Sequence, residues 1–173
     1  ISDRDGKTPE HYAIAATTDG FALAFGLSPF LEPSTRSGRR YAKLSEGSFI
    51  IGVELVTAKG KPKVLSVTRK SRVLICAAGE ISYLNGPGRG VVLVKLDEED
   101  QLVGFKVAFG PDDVLVLKTT LGGEQKVSLA RHEVSARGGK GRDLIKRGQI
   151  SEVVLPTPVA PQLSGPNGSE VSA

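Results

Sequence analysis

Lysine, arginine and glycine carry the one recurrent chemistry in this sequence. A glycine is followed five residues later by a lysine at Gly38 and Lys43, at Gly90 and Lys95, and at Gly141 and Lys146, so the copies are shifted by 52 and then 51 residues. The cations around these pairs are segregated from acids. Residues 36–43 hold Arg36, Arg39, Arg40 and Lys43, and residues 57–72 hold Lys59, Lys61, Lys63, Arg69, Lys70 and Arg72, with no acid in either segment. Residues 131–147 hold Arg131, Arg137, Lys140, Arg142, Lys146 and Arg147 against Glu133 and Asp143, and the second copy adds Arg89 and Lys95. The acids gather at Asp97–Asp100 and at Asp112-Asp113. Cations repeated at a fixed period suit a regular array of negative charges, and the phosphate backbone of a nucleic acid is such an array.

The kind of nucleic acid follows from what the basic segments lack. Tyr41 is the one aromatic inside them, which argues against single strands held by base stacking. No helical periodicity offers an element to read a groove. Backbone contact with a bent duplex is therefore the expectation. The loop Arg137-Gly138-Gly139-Lys140-Gly141 is expected to lie exposed on the rim as the main anchor for DNA bending, its glycines leaving backbone N–H groups free to approach a phosphate and Arg137, Lys140 and Arg142 adding charge. The alternative is a propeller-like protein-interaction module with no nucleic-acid partner. It is distinguished by basic segments that scatter while an apolar patch is exposed.

Catalysis finds no residue set. His11 and His132 are the two histidines and have no metal-ligand spacing, and the lone Cys76 lies in an apolar run, Val73–Ala77, as an inert buried thiol would. Gly139-Lys140-Gly141 lacks the leading glycine and the following hydroxyl of a phosphate loop, and the acidic run 97–100 lacks the spacing of a calcium loop. No metal, no cofactor and no catalytic residue are expected. No apolar run approaches the roughly 20 residues of a membrane helix, so no membrane partner is expected.

The elements that must position these cations are strands. The chain has 173 residues, a net charge of +4, 21 glycines and no Trp or Met, and its apolar content is mostly Val, Ile and Leu. Without a Met, Ile1 is not a natural start, and the chain reads as a piece or a trimmed form of a longer protein. Three segments resemble one another: residues 12–56, 64–108 and 114–155. A period near 50 residues is that of blades in a propeller-like array. In the second copy strands are expected at about 64–68, 72–77, 81–84, 91–96 and 102–108, separated by turns rich in Gly, Pro and Asp. The Gly–Lys anchor aligns Phe21 with Val73, Leu23 with Ile75, Leu44 with Leu96 and Val53 with Phe105. Phe21, Leu23, Val73, Ile75, Val103 and Phe105 are expected in the core. Residues 1–9 read as a polar lead-in, and residues 156–173 as a mobile tail rich in Pro, Ser and Gly.

The runs DGFALAFGLSPF, RSGRRYAKLSEGSFIIGVELV and GRGVVLVKLDEEDQLVGF resemble blades of the C-terminal domain of the A subunit of bacterial type IIA topoisomerases, DNA gyrase and topoisomerase IV. Residues 137–141 are similar to the core of the gyrase box Q-(R/K)-R-G-G-(R/K)-G, with Ser135 and Ala136 in place of its first two residues. In gyrase the box usually sits in the first blade; here it lies in the last copy. The resemblance covers about residues 8–155. It implies an all-β fold, a propeller-like β-pinwheel of four-stranded blades, with three copies visible where the family usually has more. It implies a non-catalytic domain that bends or wraps double-stranded DNA on a basic rim. The DNA-contacting set would be Arg36, Arg39, Arg40, Lys43, Arg69, Lys70, Arg72, Arg89, Lys95, Arg137, Gly138, Gly139, Lys140, Gly141, Arg142, Lys146 and Arg147. It further implies a bacterial cytoplasmic, nucleoid-associated, ATP-dependent parent enzyme. That enzyme would have a breakage-reunion core carrying the catalytic tyrosine, and its partner would be an ATPase B subunit. Nothing here matches that core, and Tyr12, Tyr41 and Tyr83 read as packing residues.

Overall fold

The stretches 64–67 and 73–76 are almost uninterrupted apolar runs, as strands covered on both faces must be. The computed structural model describes residues 9–34, 36–57 and 60–155. In chain order it contains β1 (His11–Thr17), β2 (Phe21–Gly26), β3 (Ile50–Thr57), β4 (Lys63–Thr68), β5 (Arg72–Ala77), β6 (Tyr83–Leu84), β7 (Val91–Val92), β8 (Leu102–Ala108), β9 (Val114–Thr119), β10 (Glu124–Ser128), β11 (Arg142–Asp143) and β12 (Ile150–Val154). Single 3₁₀ turns stand at Ser28–Phe30 and Ala78–Glu80. The residues expected to form a lead-in and a tail lie, apart from Pro9, outside the described residues.

These strands form three sheets. The first is β3-β1-β2-β6 with β7 also on β2, the second is β8-β4-β5-β11, and the third is β12-β9-β10. Each copy supplies a hairpin and a later strand that returns beside the hairpin's first strand. The remaining strands cross over: β6 and β7 of the second copy complete the first sheet, and β11 of the third copy completes the second. The sheets are therefore not built from one contiguous copy each. The crossing segment is called the arm below.

Pairing corrects the sequence alignment by one residue. Tyr12 faces Gly26 as Lys63 faces Ala77, and the hairpin tips at Gly20, Ser71 and Gly122 all have positive φ, 51 residues apart. Ala22, not Phe21, thus matches Val73, and Leu23 matches Leu74. The first copy is one residue shorter than the second between the hairpin tip and the anchor glycine, and the Gly–Lys anchor lies downstream of that difference. A one-residue slip exchanges the two faces of a strand. Phe21 is accordingly half-buried at an edge, under the guanidinium of Arg89, 3.9 Å from the ring centroid. Val103 is also half-buried, whereas Leu23, Val73, Ile75 and Phe105 are buried. The expected strand 91–96 is shorter because Leu93 and Val94 leave the sheet to donate to Gly20 O.

The sheets stack face to face. One core, with Ile14, Val56, Val64, Leu74, Cys76 and Phe105, lies between the first and second sheets. Another, with Leu65, Val67, Val73, Ile75, Leu115, Leu117 and Ile150, lies between the second and third. Close approach is secured by a glycine on one sheet and a knob on the next. A Cβ on Gly52 would lie 3.1 Å from the Phe105 ring, and one on Gly104 only 2.7 Å from Val153 Cγ2. Burial between sheets, followed by the nearby Glu80 carboxylate, pushes the Cys76 thiol up to about 12, so it is not a nucleophile.

Candidate nucleic-acid interface

The arms place the cations. Gly90 and Gly141 have φ of +80° and +74°, and a Cβ there would stand 2.1 Å from Ala22 O and 2.5 Å from Val73 O. Glycine lets the arm lie against the hairpin of the preceding copy. Five residues on, each arm reaches its lysine. Lys43 N donates to Gly88 O at 2.9 Å, and Lys95 N donates to Gly139 O at 2.8 Å, so successive arms are joined by the same bond at the same place. Lys43, Lys95 and Lys146 recur at one position per arm, and all three are exposed. None of the three has an ion pair among the described residues. Exposed Arg36, Arg39, Arg40, Arg69 and Arg147 are also without one among those residues.

The remaining expected contacts are engaged within the protein. Arg89 reaches Asp19 Oδ2 at 3.4 Å. Arg72 lies between Asp97 at 3.5 Å and Asp143 at 3.8 Å. Lys70 Nζ donates to Glu98 O, Lys140 pairs with Asp97, and Arg142 pairs with Glu133. The acidic run 97–100 therefore does not stand apart from the basic segments. It folds back on the tip of β4 and β5, where Asp100 Oδ1 accepts from Lys70 N at 2.9 Å. The hydrogen bond from Lys140 is the main reason the Asp97 carboxyl sits below its ordinary value, aided by the charges of Lys140, Arg72 and Lys70.

The loop 137–142 differs from its expected character. Arg137 is half-buried; its Nε donates to Glu80 O at 2.9 Å and its NH1 to Val92 O at 3.2 Å. Its own N–H goes to Glu80 Oε2 at 3.1 Å, and Gly138 N goes to Leu93 O at 2.8 Å. These amides hold one arm to the next and are not free for a phosphate. Gly139 and Lys140 are exposed, whereas Gly138 and Gly141 are half-buried.

Asp19 is a supporting residue that the sequence did not single out beyond a turn. Burial pushes its carboxyl up, but hydrogen bonds from Thr17, Ser45 and Ser48 outweigh this and hold it below the ordinary value. Ser45 and Ser48 donate at 2.8 Å each, which ties the segment after the first arm to the tip of β1 and β2. The Asp19-Gly20 pair was the available signal, but its partners lie 26 and 29 residues away.

No family model matches the chain. The A subunit of DNA gyrase from Mycolicibacterium smegmatis is 30% identical over 131 residues, which is 75% of this chain and 15% of that protein. Among solved structures, the C-terminal domain of DNA topoisomerase IV matches with a TM-score of 0.71 at 21% identity, covering 91% of this chain and 49% of that one. The DNA gyrase A C-terminal domain matches with a TM-score of 0.68 at 20% identity, covering 87% of this chain and 50% of that one.

Proposed function

We propose that this chain, a β-pinwheel with the fold of the C-terminal domains of topoisomerase IV and gyrase A, bends or wraps double-stranded DNA across the edge that carries its arm lysines. The observation that carries this is the recurrence of Lys43, Lys95 and Lys146, exposed and without an ion pair among the described residues, once on each of three linked arms. Arg36, Arg39, Arg40, Arg69 and Arg147 are further exposed cations without an ion pair among the described residues. Phosphates repeat along a duplex, and cations repeating along stacked sheets meet them without reading bases. The engaged cations Arg72, Arg89, Arg137, Lys140 and Arg142 hold the arms in place and so position the free ones. Gly138, Gly139 and Gly141 serve arm docking in this reading.

Similarity to the gyrase A protein supports placing the domain in a DNA topoisomerase, beside a breakage-reunion core and its partner ATPase. The chain itself then does no bond chemistry and changes the path of the duplex delivered to that core. The test is a topology assay. The domain is bound to a relaxed nicked circle, the nick is sealed with ligase, and the linking-number change is read after protein removal. A protein-dependent change of one sign is expected, fading as salt rises. An unchanged linking number at saturating protein and low salt would sink the reading.

A further inference from the structure

One niche is built twice in this fold and plugged once. In the second copy Arg137 closes it: the guanidinium donates to Glu80 O and Val92 O, and the residue's own N–H goes to Glu80 Oε2. Backbone bonds give the matching positions in the first copy. Leu27 O accepts from Phe30 N as Ala78 O accepts from Ile81 N, so Pro29 stands where the second copy has Glu80. Lys43 N donates to Gly88 O as Lys95 N donates to Gly139 O, so Arg40 stands for Val92 and Gly86 for Arg137. Gly86 has no side chain to send into the niche, and Pro29 has no carboxylate to hold an arm amide.

At this place the first copy has a cavity of about 330 Å³, at the small end of ligand sites. Its lining includes all three matching positions, Pro29, Arg40 and Gly86. The walls have changed in character. Phe25, Phe30 and Tyr41 line it where the second copy has Cys76, Ile81 and Leu93, and Arg39 and Arg40 replace Val91 and Val92. Phe25 and Tyr41 stack with centroids 4.5 Å apart, and Phe30 meets them edge-on at 5.7 and 6.2 Å. These rings pack on one another instead of standing apart as a slot. They offer a corner for a compact apolar side chain, not two parallel faces for a base. Arg39 and Arg40 are exposed and without an ion pair among the described residues, so the mouth favours negative charge.

We propose that this cavity is a peptide-binding site. It takes one phenylalanine-sized apolar side chain of a partner protein, and acidic residues beside that anchor pair with Arg39 and Arg40. The anchor occupies the place that the chain's own Arg137 fills in the second copy. Burial of the anchor supplies most of the affinity, and the arginine–carboxylate pairs orient the segment.

The test uses no DNA, so its outcome is separate from the DNA-binding reading. The probe is the peptide acetyl-Glu-Asp-Phe-Asp-Glu-amide, titrated into this chain while backbone amide shifts are followed by NMR. Saturable shifts are expected at Gly26, Phe30, Tyr41, Asn85 and Gly86. A twin peptide with Ser in place of Phe gives none, and neither does a twin with Lys in place of the acids. Gly86→Arg puts the plug of the second copy into the first and abolishes the shifts. Gly86 has no positive φ and a Cβ there meets nothing within 4 Å, so the variant keeps its fold. Arg39→Ala with Arg40→Ala weakens binding about tenfold, as loss of two exposed ion pairs does. A native chain that does not respond to the Phe peptide overturns the proposal. So do shifts that survive Gly86→Arg, that either twin reproduces, or that adenosine monophosphate matches at the same concentration. Should Gly86→Arg fail to fold, the Phe and Ser peptides on the native chain decide, because only the anchor separates them.

Discussion

The first and third arms share a glycine-to-lysine spacing and a cluster of cations, yet they do different work. In residues 137–146 the glycine is wedged under Val73 O, Arg137 caps two carbonyl oxygens, and Lys140 and Arg142 have carboxylate partners. In residues 36–43 a Cβ on the glycine would meet nothing within 4 Å, and Arg36, Arg39, Arg40 and Lys43 are exposed without ion pairs among the described residues. Local charge density is the same kind of signal in both. What separates them is docking, because a guanidinium that satisfies buried carbonyls contributes to stability and one in water is available to a partner.

The sharpest way to break this comparison is at the two glycines. Gly141→Ala adds a Cβ 2.5 Å from Val73 O at positive φ. Left-handed strain of about 1–2 kcal/mol plus overpacking of about 1–3 kcal/mol should lower stability by about 2–5 kcal/mol. Gly38→Ala meets no neighbour and should cost only the strain, about 1–2 kcal/mol. Urea midpoints at constant m-value measure both, and equal losses would remove the distinction.

Arginines give the next largest contrast. Arg137→Ala leaves Glu80 O and Val92 O without their charged donor and should cost about 1.5–3 kcal/mol. Its effect on DNA affinity should follow from that loss, with the salt slope nearly unchanged. Arg39→Ala with Arg40→Ala should reverse the pattern. Stability stays within about 0.5 kcal/mol, while the salt slope of DNA binding falls by about two units if each cation holds one phosphate. A slope that falls with Arg137 and not with Arg39 and Arg40 would show that the box-like loop is the contact after all.

The smallest effect is in pH. The Asp97 carboxyl lies below its ordinary value of 3.8 because Lys140 donates to it. A depressed carboxylate contributes above its unfolded pKa and loses that contribution as pH falls through the folded value. Acidification below about pH 4 should therefore loosen the third arm. Hydrogen exchange at residues 138–143 should rise on going down through that window, and Asp97→Asn should abolish the change.

Much of this was readable from the chain. Short runs of Val, Leu and Ile such as Val73–Ala77 marked strands, and the glycine-to-lysine spacing marked one repeating unit. Even the third sheet has a local signature, since EQKVS and ISEVV carry charged residues within the strand where VLICA has none. The one-residue offset between Phe21 and Val73 was hidden because the anchor residues lie beyond the insertion that creates it.

Fold class, repeat and the supply of cations were determined by residue type and short spacing, which act locally on strand propensity and turn geometry. Which cations remain free was decided only in three dimensions. Arg137 meets Glu80 57 residues away, Lys140 meets Asp97 43 residues away, and Arg89 meets Asp19 70 residues away. Those partners come together because each arm completes the sheet of the preceding copy, and no local pattern encodes an exchange between copies.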